Sequence, residues 1–244
     1  MTKTARDGER IAKRLARTGI ASRREIERMI MARRIKVNGQ TIASPAKNIT
    51  DRDHVQVDGV SASSPSPPKL WRFHKPIGTV TTERDPNGRP TIFDYLPDYL
   101  PRVLYIGRLD YNSEGLLLLT NDGGLKRRLE LPTNNWLRRY RVRVKGTPTE
   151  AKLDELRSGL ILNDERFKPM QVNVDRQQRS NAWLTIGLRE GKNREIRRAL
   201  AHCGLSVNRL IRISFGPFQL GSMKAGNAKE VSTKVLRDQL GLES

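Results

Sequence analysis

"RRYRVRVKG", residues 138–146, alternates without a break. Tyr140, Val142 and Val144 fall on one side, and Arg139, Arg141, Arg143 and Lys145 on the other. A period of two marks a strand, here with one apolar face and one basic face. Working outward, "FKPMQVNVDRQ", "NAWLTIGLREG" and "VNRLIRISFGPFQL" read as further strands downstream. Upstream, "KLWRFHKPIGTVTT" reads as a strand, a turn at Lys75-Pro76-Ile77-Gly78, and a second strand. "AKLDELRSGL" and "NREIRRALAHCG" read as helices, the second stopped by Gly204. Strands and helices do not alternate as βαβ units. The expected class is therefore α+β, with a mixed, largely antiparallel sheet and flanking helices.

The first quarter of the chain has another character. "ERIAKRLART" places Ile11, Ala12, Leu15 and Ala16 on one helical stripe, with Gly19 as a stop. Ser22 followed by Glu25 reads as a capping box that opens a second helix, continued by Ile26, Met29, Ile30 and Arg33. "IKVNGQTI" reads as two short strands around Asn38-Gly39, a strong hairpin signal. "HVQVDG" adds one more alternating strand. "SASSPSPPK", residues 61–69, is rich in Ser and Pro and nearly free of apolar residues, as a linker is. The expected organisation is a small domain over 1–60, a linker over 61–69, and a larger domain over 70–244.

Among 244 residues, 46 Lys/Arg stand against 26 Asp/Glu, a formal net charge of +20. Solubility alone needs a magnitude of only about 2–8 in a small domain. The excess is spread along the chain: residues 1–59 hold 14 basic against 7 acidic side chains. A field of one sign concentrates ligands of the other, so the partner expected is a polyanion. No apolar run approaches the roughly 20 residues of a bilayer span, which favours nucleic acid over membrane. The opening "MTKTARDGER" lacks the apolar core of a secretory signal, and a lone Cys203 cannot form an intrachain disulfide. A soluble, cytoplasmic protein is expected.

Against that basic background, "GRLDYNSEGLLLLTNDG" embeds one acid, Asp110, between a glycine-arginine approach and an apolar run. Three readings compete. "DYNSEG" offers oxygen ligands as the start of a calcium loop does, but the closing bidentate Glu would fall at Asn121. A turn in which Asp110 bonds backbone amides is the plain structural alternative. The third reading is a catalytic nucleophile or base.

Two resemblances weigh on that choice. "RIAKRLARTGIASRREIERMIMARRIKVNGQ" with "ITDRDHVQVDG" resembles an S4 domain, a small RNA-binding module. The resemblance implies that Arg14 and Arg17, and then Arg23, Arg24, Arg28, Arg33 and Lys36, face an RNA backbone. "GRLDYNSEGLLLLTNDG" resembles the catalytic-aspartate motif of the RsuA family of ribosomal RNA pseudouridine synthases, whose members carry an S4 domain first. "HKPIGTVTTERDPNGRPTIFDYLP", "RRYRVRVKG" and "LREGKNREIRRALAHCGLSVNRLIRISFGPF" resemble the other motifs of that family, in order. Departures are His74, where the family usually has Asn, and Glu195, where it usually has Gln.

The resemblance implies a pseudouridine-synthase domain that isomerises one uridine of ribosomal RNA, needs no cofactor and no metal, and acts as a monomer. The wording of "DPNGRPTIFDYLP" and "GKNREIRR" is most similar to members acting on the large subunit, which implies 23S RNA as the partner. Small-subunit RNA, tRNA, or a purely binding role in ribosome assembly are the alternatives. Asp110 is implied as the catalytic carboxylate, Arg197 as its cationic partner and Tyr140 as the ring that stacks on the target base. A nearby guanidinium would lower the carboxyl pKa by about 1–3 units. Arg194 is a second choice of partner, since 194 and 197 or 198 share a helix face. Arg108 is expected at the target nucleotide, and Lys192, Arg198, Arg209 and Arg212 on the RNA backbone. Leu116 to Leu119 read as a buried strand or helix behind the Asp110 loop. His54, His74, His202 and Cys203 have no partner spacing and receive no role.

Overall fold

The computed structural model describes residues 8–241. The chain divides into two compact units. One ends at Pro68 and includes Asn121–Gly123, and the other takes Lys69–Thr120 and resumes at Gly124.

The first unit runs β1 (Glu9–Arg10), α1 (Ile11–Arg17), α2 (Arg23–Met31), β2 (Ile35–Val37), β3 (Gln40–Thr41), β4 (Asn48–Ile49), β5 (Val55–Val57) and β6 (Val60–Ser61). Ile11, Leu15, Ile26, Ile30 and Ile35 form its core, which is the helical stripe read from the sequence. Strands β3-β2-β5-β6 make an antiparallel sheet. Asn38-Gly39 turns β2 into β3 with φ of 51° and 82°, as a two-residue hairpin with both centres left-handed requires. Asp58-Gly59 repeats the device between β5 and β6, with φ of 50° and 82°, a hairpin the sequence reading did not anticipate.

Ser22 caps α2, its Oγ accepting from the Glu25 amide at 3.2 Å. Among the described residues the reciprocal half of the capping box is missing, because the Glu25 carboxylate pairs with Arg28. The helix also stops sooner than expected. Arg33 lies past its end at φ 60°, where the amides of Arg33 and Arg34 close onto the carbonyls of Ile30 and Met29.

The second unit runs β7 (Leu70–Lys75), β8 (Leu104–Ile106), β9 (Glu114–Thr120), α3 (Gly123–Glu130), β10 (Arg138–Lys145) and α4 (Glu150–Ser158). The hairpin β11 (Leu160–Leu162) and β12 (Glu165–Phe167) follows, then β13 (Gln171–Gln178), β14 (Asn181–Leu188) and α5 (Glu195–His202). The described chain closes with β15 (Ser206–Phe215), β16 (Phe218–Gln219), β17 (Ala228–Glu230) and α6 (Thr233–Leu240). The main sheet has nine strands in the order β13-β14-β10-β15-β9-β7-β17, with β16 on β15 and β8 on β9. This is the mixed, largely antiparallel α+β sheet expected.

Its one parallel pairing joins β15 to β9, over Ile211↔Glu114 and Arg212↔Gly115 only. On one side of that seam, Val142, Val144, Leu184 and Ile186 bury against Leu153 and Leu156 of α4 and Leu200 of α5. On the other side, Leu116 and Leu118 of β9 bury against Leu125 and Leu129 of α3 and Leu236 and Leu240 of α6. Leu117 and Leu119 face the opposite way, onto Trp71, Phe73 and Ile92. Strand β9 is thus buried on both faces, which is why its sequence reads as a continuous apolar run without period. The second strand expected in "GTVTT" reduces to one bridge, Val80 to Thr91. The sequence reading also passed over α3, α6 and β8.

At the seam Gly115 has φ of 104°, and a Cβ there would lie 2.4 Å from the Arg212 carbonyl oxygen. A side chain would meet both backbone strain, about 1–2 kcal/mol, and overpacking of about 1–3 kcal/mol. Gly115→Ala should therefore lower stability by about 3 kcal/mol, read as a fall of about 6–12 °C in the melting temperature of the larger unit. A shift under about 2 °C would mean that the two halves of the sheet are not locked at this point.

Candidate active site

Asp110 lies in the segment 109–113 that leads into β9, and all five carbonyls of that segment have a donor. The Thr81 hydroxyl donates to the Leu109 oxygen at 2.8 Å. The Ser113 amide donates to Asp110 at 3.0 Å and the Gly78 amide to Tyr111 at 2.9 Å. Arg197 Nη2 donates to Asn112 at 2.7 Å, and Lys75 Nζ to Ser113 at 2.8 Å. A loop whose carbonyls are all engaged has little freedom to re-orient. Among the described residues the half-buried Asp110 carboxylate makes neither a hydrogen bond nor an ion pair. The segment is fixed while its acid is left available.

A cavity of about 260 Å³ opens beside that acid. This is just under the roughly 300 Å³ at which pockets for drug-sized ligands begin. Of the expected site residues, Arg108, Asp110, Tyr140, Lys192, Arg194 and Arg212 line it. Ser113, Arg138 and Glu195 line it as well and were not anticipated as site residues. Tyr140 on β10 stands directly opposite Arg212 on β15, so the two side chains share one face of the sheet.

Two cations, Arg138 and Arg212, line the cavity, and a third, Lys75, lies behind it on the Ser113 carbonyl. Lys75 is fully buried, its Nζ donating also to the Pro76 carbonyl at 3.0 Å. Burial pushes its ammonium down to about 8; Asp110 and Glu114 oppose that, and Arg212 adds to it. Arg138 is lowered chiefly by burial, and Arg212 lowers it further. Arg212 itself is only 3% exposed. Each occupies an inward position of its strand: Lys75 follows Trp71 and Phe73, Arg138 precedes Tyr140, and Arg212 lies between Leu210 and Ser214. The alternation that located the strands therefore also placed these charges inside, and that signal was legible in the sequence.

Nearby acids do little to cancel them. Glu114 is taken by Arg209, with Nε and Nη2 at 2.6 and 3.2 Å, while half of the Arg209 side chain stays exposed. The same ion pair occupies the Glu that a calcium loop would have used. Burial, and then a hydrogen bond from the side of Glu190, push the Glu195 carboxyl up, while the Lys192 amide at 3.0 Å opposes the shift.

Arg197 departs from the expected ion pair with Asp110. Its guanidinium donates to the Asn112 and Val207 carbonyls, at 2.7 and 3.1 Å. Asp110 acts on it through space and raises its pKa, against the larger lowering by burial and by Arg194. Its contact is with the backbone of the Asp110 segment. Arg194 is not on the helix; it is the cap residue before α5, at φ 49°, and shares no helix face with Arg197. Arg198 is engaged by Glu165 at 2.6 Å and lies over the Phe167 ring. Lys192 pairs with Glu165 and Glu190 at 3.7 and 3.9 Å. Arg212, expected on an RNA backbone, is too deep for that contact. In the first unit Arg23, Arg24, Arg28, Arg33 and Lys36 are exposed. There Arg14 pairs with Asp51 at 2.6 Å and Arg17 with Glu9 at 2.9 Å.

The arrangement can hold one small planar group against Tyr140, present a carboxylate to it, and offset negative charge from below. Comparisons with known proteins agree in kind. Residues 69–202 match the model of the RNA pseudouridylate synthase family, and residues 9–55 that of the S4 domain. A protein of Rickettsia prowazekii named as an RNA pseudouridine synthase is 42% identical over 231 residues, covering 95% of this chain and 97% of that one. A ribosomal large subunit pseudouridine synthase B of Pseudomonas aeruginosa is 38% identical over 247 residues, covering 97% of this chain and 64% of that one. A crystal structure of a pseudouridylate synthase superposes with a TM-score of 0.65 at 23% identity, over 94% of this chain and 99% of that one, a likeness of fold. No helix among the described residues is long and apolar enough to cross a membrane.

Lys75 gives a test of the cationic floor. Its folded pKa of about 8 lies below its ordinary 10.5. Between those values the unfolded chain binds more protons, so the contribution of Lys75 to stability rises with pH across that window. Denaturant melts at pH 8 and pH 10 should show a gain in the wild type relative to Lys75→Met. Equal pH dependence in both would mean that Lys75 is not held in a charge-disfavouring site.

Proposed function

This chain belongs to the RNA pseudouridylate synthase family, and from that premise we propose that it isomerises one uridine of 23S ribosomal RNA. Asp110 supplies the catalytic carboxylate. The observation that carries the reading is a free carboxylate on a loop whose carbonyls are all hydrogen-bonded, at the wall of a cavity of about 260 Å³ that Tyr140 and Arg212 also line. The choice of 23S RNA rests on relatives named for the large ribosomal subunit.

In the reaction the bond from uracil N1 to the ribose breaks, the base turns, and C5 takes its place. C5 then loses its hydrogen, and N1 gains a proton. Nothing is oxidised and no water is consumed, so no cofactor is called for, and the protein acts as a monomer. Extrusion of the nucleotide costs a few kcal/mol, and stacking on an aromatic ring offsets about 1–3 kcal/mol per base. Tyr140 supplies that ring. Arg108, exposed at the mouth, takes the place of the extruded base or holds its phosphate, with Arg194 and Lys192 beside it. Arg197 holds the Asp110 loop through the Asn112 carbonyl and supplies positive potential at the carboxylate. The first unit grips RNA backbone through Arg23, Arg24, Arg28, Arg33 and Lys36.

Tritium release from rRNA carrying 5-tritiated uridine tests the chemistry. Asp110→Asn should lower the rate at least about a hundredfold and leave RNA affinity within a few fold. Undiminished release from that variant would remove Asp110 from the reaction, and no release by wild type from any rRNA would leave a binding factor. Mapping pseudouridines in a deletion strain decides the RNA: loss of one site in 23S supports the reading, and loss confined to 16S or tRNA overturns it. Deleting residues 1–60 should weaken rRNA binding more than it slows single-turnover release. Unchanged binding by the remaining chain would contradict the division of labour.

A further inference from the structure

Arg212 is a guanidinium in an unusual position. It is 3% exposed, lines the cavity, and makes one hydrogen bond among the described residues, from Nε to the Leu116 carbonyl at 2.7 Å. Its Nη2 is buried with no partner. A guanidinium carries five N–H donors in a fixed fork and no acceptor, and a buried charge without partners is costly unless something completes its shell. The Nε bond and the Phe215 ring, 5.4 Å from Cζ, hold the group from one side. Arg212 lines the cavity, so the edge of its guanidinium that Leu116 does not hold is left for it.

Depth distinguishes what they would meet. Phosphates of an RNA strand stay at a pocket's mouth, where Arg108 and Arg194 are exposed. The extruded base goes to the floor, against Tyr140, and Arg212 is the direct cross-strand neighbour of Tyr140. A ring stacked on Tyr140 thus turns an edge toward Arg212. Lys75 and Arg138 add positive potential there, so an acceptor oxygen is favoured and a donor is opposed. Uracil O2 has its counterpart in cytosine, so the edge that tells the two bases apart is the one bearing O4. Cytosine presents an amino group in place of O4.

We propose that Arg212 is a base-reading residue, whose guanidinium donates to the uracil O4 carbonyl oxygen and so admits uridine and rejects cytidine. This rests on the uridine-isomerase reading and names the group that selects its substrate. The same donors face the oxygen on which negative charge collects when the base is detached, so base selection and rate should fall together.

The test uses full-length protein carrying Asp110→Asn, which blocks turnover, and two transcripts spanning the mapped site, one with uridine and one with cytidine at that position. Filter binding gives the two dissociation constants. The uridine transcript should bind at least about tenfold more tightly, the share of one hydrogen bond to a charged group. Adding Arg212→Met, which keeps bulk over Phe215 and loses the donors, should bring the two within about twofold. Undiminished preference in that variant would overturn the proposal. So would equal weakening of both transcripts with the ratio kept, which would make Arg212 a phosphate contact. If Arg212→Met melts early, Arg212→Lys decides: it keeps the charge without the fork, and should lose most of the preference while folding normally. Retained preference in Arg212→Lys would also contradict the proposal. Failure of the isomerase reading itself looks different, because wild type would then release no tritium from the uridine transcript.

Discussion

The site depends on a parallel contact two residue pairs long, between Glu114-Gly115 and Ile211-Arg212. Each half of the large sheet has its own antiparallel ladders and its own apolar cluster. Among the described residues this seam is the strand pairing that joins them, and side chains such as Phe215 and Arg209 pack or pair across it. Asp110 lies just before one side of it, and Arg212 and Tyr140 on the strands across it. Glycine at 115 is what allows the backbones to come this close, because a side chain would collide with the Arg212 carbonyl. The geometry of the candidate chemistry is therefore a property of the join, where neither half alone would produce it.

Around that join the protein places cations at positions that alternation reserves for apolar side chains. Burying Lys75, Arg138 and Arg212 together is unfavourable, as the lowered pKa values of Lys75 and Arg138 express. Part of the cost is met by backbone carbonyls. Lys75 holds Ser113 and Pro76, Arg212 holds Leu116, and Arg197 holds Asn112. The same hydrogen bonds fix the Asp110 segment, so charge burial and loop rigidity are one device. What the carbonyls leave over is a positive floor beneath a cavity open to an acceptor-bearing ring. Exposed arginines elsewhere serve the general attraction of a polyanion, which steers encounter but does not choose a base.

Much of this was legible in the sequence, and the gaps have physical causes. The alternation of 138–146 located the central strand, and the Asn38-Gly39 pair located a hairpin. Strand β9 was ambiguous because burial on both faces erases the period. The second strand in "GTVTT" failed because the segment is spent on holding the Asp110 loop, through the amide of Gly78 and the side-chain hydroxyl of Thr81. Arg197 was placed correctly beside that segment but with the wrong contact, since spacing along a helix does not tell a carboxylate from a nearby carbonyl. Lys75 and Arg138 were passed over because a basic residue in a basic chain looks solvated. Their inward register was the clue that charge counting hid.

The central claim is that a single unstacked nucleoside enters the cavity between Asp110, Tyr140 and Arg212. A crystal structure of the Asp110→Asn protein with an rRNA fragment containing its mapped uridine tests this most directly. The account predicts that uridine out of the helix, its ring on Tyr140, its O4 within hydrogen-bond distance of Arg212, and its C1′ about 3–4 Å from the side chain at 110. A fragment bound with the uridine still stacked and the cavity empty would contradict it.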